Sequence, residues 1–240
     1  MWYMGSKAKI AKDIVPIIQS YINDSTSAYI EPFVGGCNVM DKIKCVNRIG
    51  SDINPYLIAL LVKLRDDSIN IPDIISLEEY NKVKNNKDQY DDWYVGLVGF
   101  CSTFGAKFFG GYGRQFPGDN SGNHSKASIK SLKSQADKIR DVELYNCSYE
   151  KLSFPMGSVI YCDIPYRNTT KYVCDAFDYE KFYKWCKLKS VDNIVLISEY
   201  NMPDDFEPIY TKQVKLTLDS NRVSGNKRNI RTEKLYTVIR

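Results

Sequence analysis

Ala28-Tyr29-Ile30-Glu31-Pro32-Phe33-Val34-Gly35-Gly36 is a short apolar run that ends in a glycine turn. Such a run suits a buried strand, and glycines directly after it let the backbone approach a ligand at the carboxyl edge of a sheet. Further on, Arg48-Ile49-Gly50-Ser51-Asp52 reads as a second strand ending on an acid, and Pro55 can open a helix running through Leu64. Between the two strands a helix is expected to start near Asn38. Strand, glycine turn, helix, strand, acid, helix is an α/β unit of the doubly wound kind.

Upstream, Lys7 to Tyr21 carries Ile10, Ile14, Ile17 and Ile18 at helical spacing, which predicts an amphipathic helix despite Pro16. From Asp66 to about Arg140 the pattern changes. Acidic and amphipathic pieces give way to the aromatic and glycine-rich stretch Phe104 to Arg114, the polar loop Pro117 to Ser125, and a helical stretch from Ala127 to Ile139. This reads as an insertion over residues 66–140 into a domain made of residues 1–65 and 141–240. The alternation then returns. Strands are expected at Val142 to Cys147, Val159 to Cys162, Asn193 to Ser198, Thr211 to Leu218 and Leu235 to Ile239, with a helix around Tyr179 to Lys187.

The 240 residues suffice for one large domain or one domain with an insertion, and the hydrophobic and charged contents of 43% and 26% are those of an ordinary soluble protein. No apolar run reaches the length of a membrane span, and Met1 to Lys7 lacks the form of a signal peptide, so a cytoplasmic protein is expected. Seven cysteines without a CxxC pair fit reduced thiols. The net charge is only +4, but it is segregated. Residues 66–100 hold eight Asp/Glu against three Lys, a net of −5; residues 101–140 hold seven Lys/Arg against two Asp, a net of +5; residues 212–240 hold eight Lys/Arg against two acids, a net of +6. Basic segments of this kind suit a phosphate backbone, and they equally suit a solvated surface.

The chemistry concentrates in Asp163-Ile164-Pro165-Tyr166, directly after the apolar run Val159 to Cys162. An exocyclic amine on a nucleobase is a poor nucleophile because its lone pair is delocalised into the ring. A carboxylate and a backbone carbonyl can grip its two hydrogens, turn the lone pair toward an electrophile, and stabilise the positive charge that develops. Tyr166 could then stack on the base, which has to leave the duplex to be reached. A plain strand-terminal turn is the competing reading, since Asp and Pro are turn formers. Asp52, about twenty residues beyond the glycines on the spacing of dinucleotide folds, can accept ribose hydroxyls or cap the following helix. The glycines themselves can be no more than a tight turn; they form neither GxGxxG nor a phosphate loop with its lysine. The one histidine, His124, falls in the polar loop and is expected to be solvent-exposed, so no zinc site is supported. No proline precedes a cysteine, which removes the Pro-Cys nucleophile that attacks a pyrimidine ring.

Taken in order, these motifs resemble the Dam-like (D12 class) adenine-specific DNA methyltransferases of bacteria and bacteriophages, over nearly the whole chain. Tyr3-Met4-Gly5-Ser6-Lys7 looks like the family's N-terminal cofactor motif, Glu31 to Gly36 like its main cofactor loop, and Asp163 to Tyr166 like its DPPY catalytic motif. Ile197 to Asn201 and Glu233 to Tyr236 are similar to later motifs. The resemblance implies a Rossmann-like methyltransferase sheet, α/β, with residues 66–140 as an inserted helical and loop-rich target-recognition subdomain. It implies S-adenosyl-L-methionine as cofactor, held by Tyr3, Lys7, Pro32, Phe33, Gly35, Asp52, Ser148 and Asp163. It implies catalysis by Asp163, Ile164, Pro165 and Tyr166 on N6 of adenine in flipped-out bases of double-stranded DNA, by a monomer without a metal. Arg114 would read bases, and Lys126, Lys130 and Lys133 would meet phosphates. Methylation of cytosine N4 or of RNA adenine, and a DNA-binding homologue without turnover, are the alternatives. The departure from the family pattern is Ile164, where proline is usual. Isoleucine keeps the gripping carbonyl but loses the fixed φ, so weakened catalysis is expected.

Overall fold

The computed structural model of the protein describes residues 1–113, 124–166, 177–215 and 230–239. Seven strands form one sheet in the order β3-β2-β1-β4-β5-β7-β6. They are β1 (Tyr29–Glu31), β2 (Arg48–Asp52), β3 (Val142–Asn146), β4 (Val159–Asp163), β5 (Ile194–Glu199), β6 (Phe206–Lys215) and β7 (Ile230–Val238). The first five run parallel, and β7 lies antiparallel between β5 and β6. Register places Asp52 beside Asn146 and Asp163 beside Ser198, so the strands deliver their terminal side chains to one carboxyl edge. In an open parallel sheet that edge is where ligands bind.

Alternate strand residues feed two apolar cores, as the period of a strand requires. Tyr29, Tyr161, Leu196 and Leu235 join a large core with the helices α1 (Ala11–Ser20), α2 (Pro55–Asp67), α4 (Asp92–Cys101) and α5 (His124–Lys133). Ile30, Cys162, Ile197 and Tyr236 join a second core with Phe182, Trp185 and Cys186 of α6 (Tyr179–Lys189). The remaining helix, α3 (Leu77–Asn85), is capped by Ser76, whose hydroxyl accepts from the Glu79 N–H. Pro55 opens α2 as expected, but its cap is Asn54, whose side-chain oxygen accepts from the Leu57 N–H at 3.2 Å. Asp52 is therefore not the capping residue.

Residues 66–140 contribute α3, α4 and α5, and these pack into the large core. In α4 every residue from Val95 to Cys101 is buried, the pattern of a helix enclosed on all sides. It meets α2 backbone to backbone: a Cβ on Gly96 would lie 2.2 Å from the Tyr56 carbonyl oxygen, so only glycine fits.

The chain differs from expectation in three places. The helix expected near Asn38 is only a 3₁₀ turn, Met40–Lys42. Cys37 at φ 55 takes the chain left-handed just before it, and Lys42 N–H closes on Val39 O in the tighter three-residue pattern. Second, His124 begins α5 instead of lying in an exposed loop. Its Nε2 meets the Thr103 carbonyl at 3.0 Å and its ring packs edgewise on Trp2. Third, the strands expected from Thr211 and from Leu235 start earlier, at Phe206 and at Ile230. Among the described residues no helix is long and apolar enough to cross a membrane.

Candidate active site

Asp163 is the last residue of β4, and its Oδ1 lies 2.7 Å from Lys7 Nζ. Lys7 comes from a 3₁₀ turn, Lys7–Lys9, whose cap is Ser6, with Oγ accepting from the Ala8 N–H. The lysine is buried, and its ammonium also stands 4.2 Å from the centre of the Tyr166 ring, within cation–π range. The Tyr166 hydroxyl donates to Glu233 Oε2 on β7 at 2.8 Å, and its ring meets Tyr200 edge to face at 4.4 Å between centres. Pro165 is held through its carbonyl, which accepts from the Tyr179 hydroxyl at 2.8 Å. Burial pushes the Asp163 carboxyl above the usual carboxylate range, and Lys7 only partly offsets that. Burial would lower Lys7, but the Asp163 and Glu233 carboxylates outweigh it and hold the ammonium charged. One buried cation thus serves two carboxylates and one aromatic face.

The second half of the site is built on β1 and β2. The Val34 N–H donates to Ser51 O at 2.8 Å, folding the glycine turn back over the end of β2. The carboxylate of Asp52 accepts from the Gly35 N–H at 3.2 Å and from the Asn54 N–H at 2.9 Å. Its carbonyl accepts from the Asn146 side chain at 2.9 Å. Burial raises Asp52, while the backbone amides of Asn54 and Gly35 pull it down. Tyr3 packs over the turn: a Cβ on Gly36 would fall 2.8 Å from Tyr3 Cβ. Any side chain there would push the aromatic motif off the loop.

The structure brings Tyr3, Lys7, Gly35, Asp52, Asp163, Pro165 and Tyr166 to the same edge. Ser51 Oγ donates to the Pro32 carbonyl at 3.3 Å, so Pro32 belongs to the wall of the turn. Phe33 leaves the turn for an aromatic cluster, stacked on Tyr149 with centres 5.4 Å apart. Ser148 lies in the turn after β3, half-buried. Ile164 is buried in the second core, so an apolar side chain occupies the position where the resemblance implies proline. Lys126 and Lys130 are exposed on α5, and Lys133 is paired with Asp73 at 2.7 Å. Arg114 lies outside the described residues.

Glu233 was not singled out as a site residue by sequence, since nothing in Glu233-Lys234-Leu235-Tyr236 marks which member turns toward β4. Glu31 is a second such residue. It is buried, accepts from the Tyr29 hydroxyl at 2.7 Å, and burial raises it well above the usual carboxylate range. Among the described residues no cluster of three or more His, Cys, Asp or Glu could hold a metal ion.

Residues 3–97 match the family model of the D12 class N6 adenine-specific DNA methyltransferases. The match covers less than half of the chain. The matched span contains Tyr3, Lys7, the glycine turn and Asp52, and it excludes Ser148 and Asp163. The type II methyltransferase M.FokI of Planomicrobium okeanokoites is 23% identical over 225 residues, an alignment covering 83% of this chain and 33% of that protein. The chain therefore spans about a third of the length of that relative. HI0767 of Haemophilus influenzae, a solved protein assigned as a methylase, aligns over 96% of this chain and 89% of its own at a TM-score of 0.37 and 9% identity. The fold assignment here rests on strand order and direction.

Proposed function

We propose that the protein transfers a methyl group from S-adenosyl-L-methionine to N6 of adenine in double-stranded DNA, acting on a base turned out of the helix. The observation that carries this reading is Asp163 at the end of β4, held by Lys7 and flanked by the Tyr166 ring, on the same edge as the glycine turn and Asp52. The donor set fits the cofactor's chemistry. Asp52 spends its carboxylate on two backbone amides, and each oxygen keeps acceptor capacity for a ribose hydroxyl. The glycine turn under Tyr3 leaves no room for side chains that would block an approach.

When bound, S-adenosyl-L-methionine supplies an electrophilic methyl group. The chain's own residues do the rest. Asp163 accepts one hydrogen of the adenine amine and the Ile164 carbonyl accepts the other, which turns the nitrogen lone pair outward. Both acceptors stabilise the positive charge that develops there. Pro165 shapes the loop, and Tyr166, fixed through its hydroxyl on Glu233, offers a face for the base. Tyr3, Lys7, Pro32, Phe33, Gly35, Asp52, Ser148 and Asp163 are the proposed cofactor contacts or their supports. Residues 66–140 are the proposed recognition region within the domain formed by residues 1–65 and 141–240. There Arg114, Lys126, Lys130 and Lys133 would meet DNA.

Nucleoside mass spectrometry of unmethylated duplex DNA, after incubation with the protein and S-adenosyl-L-methionine, tests the reading. N6-methyladenine from the intact protein and none from Asp163→Ala is the expected result. N4-methylcytosine, a product only on RNA, or tight DNA binding with no product would each overturn it in favour of the corresponding alternative.

A further inference from the structure

Gln135 has no place in any motif, yet it is one of the few buried polar side chains of the molecule, 3% exposed. It sits between the end of α5 and the 3₁₀ turn Ala136–Ile139. Its Nε2 lies 3.3 Å from Gly36 O, 3.3 Å from Cys37 O, 3.4 Å from Asn38 Oδ1 and 3.0 Å from Asp41 Oδ2. Its Oε1 accepts from the amino group of Met1. A single side-chain amide therefore reaches across almost a hundred residues of sequence to the far side of the glycine turn.

That turn needs an external hold. Cys37 adopts φ 55, a left-handed conformation that is strained for a non-glycine residue and persists only where surrounding contacts enforce it. The peptide plane between Gly36 and Cys37 is pinned from both sides: the Cys37 N–H donates to Val34 O at 2.9 Å, and the Gly36 carbonyl accepts from Gln135. The next carbonyl, that of Cys37, accepts from both Asp41 N–H and Gln135. On the opposite side the Gly35 N–H is aimed at Asp52. Gln135 thus fixes the outer carbonyls of a turn whose inner face carries the cofactor acid.

We propose that Gln135 is a positioning residue that sets the cofactor turn from the recognition region, so that DNA held on α5 tightens cofactor binding. The ligand part of this inference rests on the methyl-transfer reading above. The path is short and rigid. The Gln135 N–H donates to Leu132 O at 3.0 Å and the Ser134 N–H to Lys130 O at 3.1 Å, so the side chain is anchored to the last turn of α5. Lys126 and Lys130 are exposed on that same helix. Ordering α5 orders Gln135, and a ligand bound at the turn returns the same coupling to DNA, as linkage requires.

Calorimetric binding of S-adenosylhomocysteine, with and without an unmethylated mixed-sequence DNA duplex, tests the inference on the intact protein, Gln135→Ala and Gln135→Glu. Ser134→Ala is the fold control, since its hydroxyl serves only Ser131 O. In the intact protein DNA should tighten the cofactor product several-fold. Gln135→Ala should weaken it about tenfold without DNA and erase the gain with DNA, a loss of one to two hydrogen bonds. Its DNA affinity in the absence of cofactor should not move. Gln135→Glu should be worse than alanine, because a second carboxylate would face Asp41 and two carbonyls. A lowered melting temperature with unchanged cofactor affinity, or a DNA effect that survives Gln135→Ala, overturns the proposal. Should the intact protein bind no S-adenosylhomocysteine, the methyl-transfer reading fails by itself. Hydrogen exchange at residues 34–41 then decides the positioning role: faster exchange in Gln135→Ala upholds it, and unchanged exchange overturns it.

Discussion

Asp52 and Asp163 both end parallel strands at the same edge, and burial raises both carboxyls, yet they are held by opposite means. Asp52 accepts backbone N–H groups from Gly35 and Asn54. Asp163 faces the buried ammonium of Lys7, 2.7 Å away. Backbone donors are fixed by the fold and favour one geometry, which suits a carboxylate that only binds. A lysine on a flexible stem can move aside, which suits a carboxylate that must exchange one partner for another during a reaction. In the proposed reaction the difference matches a binding task at β2 and a chemical task at β4.

The largest effect is expected at β4. Asp163→Ala should lower single-turnover rate by about a thousandfold or more, the scale of removing a charge-stabilising group from a reacting centre. Affinity for S-adenosylhomocysteine should change only a few-fold. Because alanine also strands a buried Lys7, Asp163→Asn is the companion variant: it keeps shape and an acceptor but not the charge. A rate within tenfold of the intact protein in both variants would break the division of labour. Next in size, Asp52→Ala should weaken S-adenosylhomocysteine by about 10- to 100-fold, one or two hydrogen bonds to a charged group. The rate at saturating cofactor should stay nearly constant. A drop in rate with constant affinity would assign Asp52 to the chemistry and reverse the comparison.

Lys7→Met sharpens the contrast through pH. Asp163 must be ionised to stabilise the positive charge that develops on the amine, and Lys7 is what pulls its raised pKa back down. Removing the ammonium moves the acid limb of the rate profile to higher pH, with a several-fold loss at neutrality. Stability follows the same sign. A carboxyl raised in the folded state opposes folding above that raised value and ceases to do so as pH falls through it. Lys7, raised by its carboxylates, contributes stability at all pH values below its own ordinary range. The melting-temperature deficit of Lys7→Met should therefore shrink on acidification, as Asp163 takes up a proton. A deficit independent of pH would mean that the ion pair is not what stabilises this corner.

Much of this was legible in the sequence because strand ends are local signals. Apolar runs closed by Glu31-Pro32, Asp52 and Asp163-Ile164-Pro165 announced three strands and the residues at their tips. The parallel order then brought those tips together. Side chains that arrive from distant elements left no such trace. Glu233 reaches Tyr166 from β7, across β5, and Gln135 reaches Gly36 from the end of α5. Neither residue has a periodic or spacing signal, because each position is set by tertiary packing. The helix expected near Asn38 but not formed has the same origin: Cys37 looks unremarkable in sequence, and its left-handed backbone is imposed by the contacts of the turn.

Ile164 is the smallest and sharpest test. It follows Asp163 and supplies the second carbonyl to the amine in the proposed reaction, yet its φ is not fixed by a ring. Its side chain is 3% exposed and belongs to the second apolar core, so packing takes the place of covalent restraint. Packing positions a carbonyl less tightly than a pyrrolidine ring that locks φ near −65°. Ile164→Pro should therefore raise the single-turnover rate about two- to threefold, while the lost aliphatic burial costs about 1–2 kcal/mol of stability. Rate and melting temperature would move in opposite directions, a signature that a general loosening of the fold cannot produce. A fall in rate would mean that the isoleucine side chain, through the core against α6, aims the carbonyl better than proline does. The β4 end would then be as firmly preset as the Asp52 end, and only the exchangeable Lys7 would still distinguish the two carboxylates.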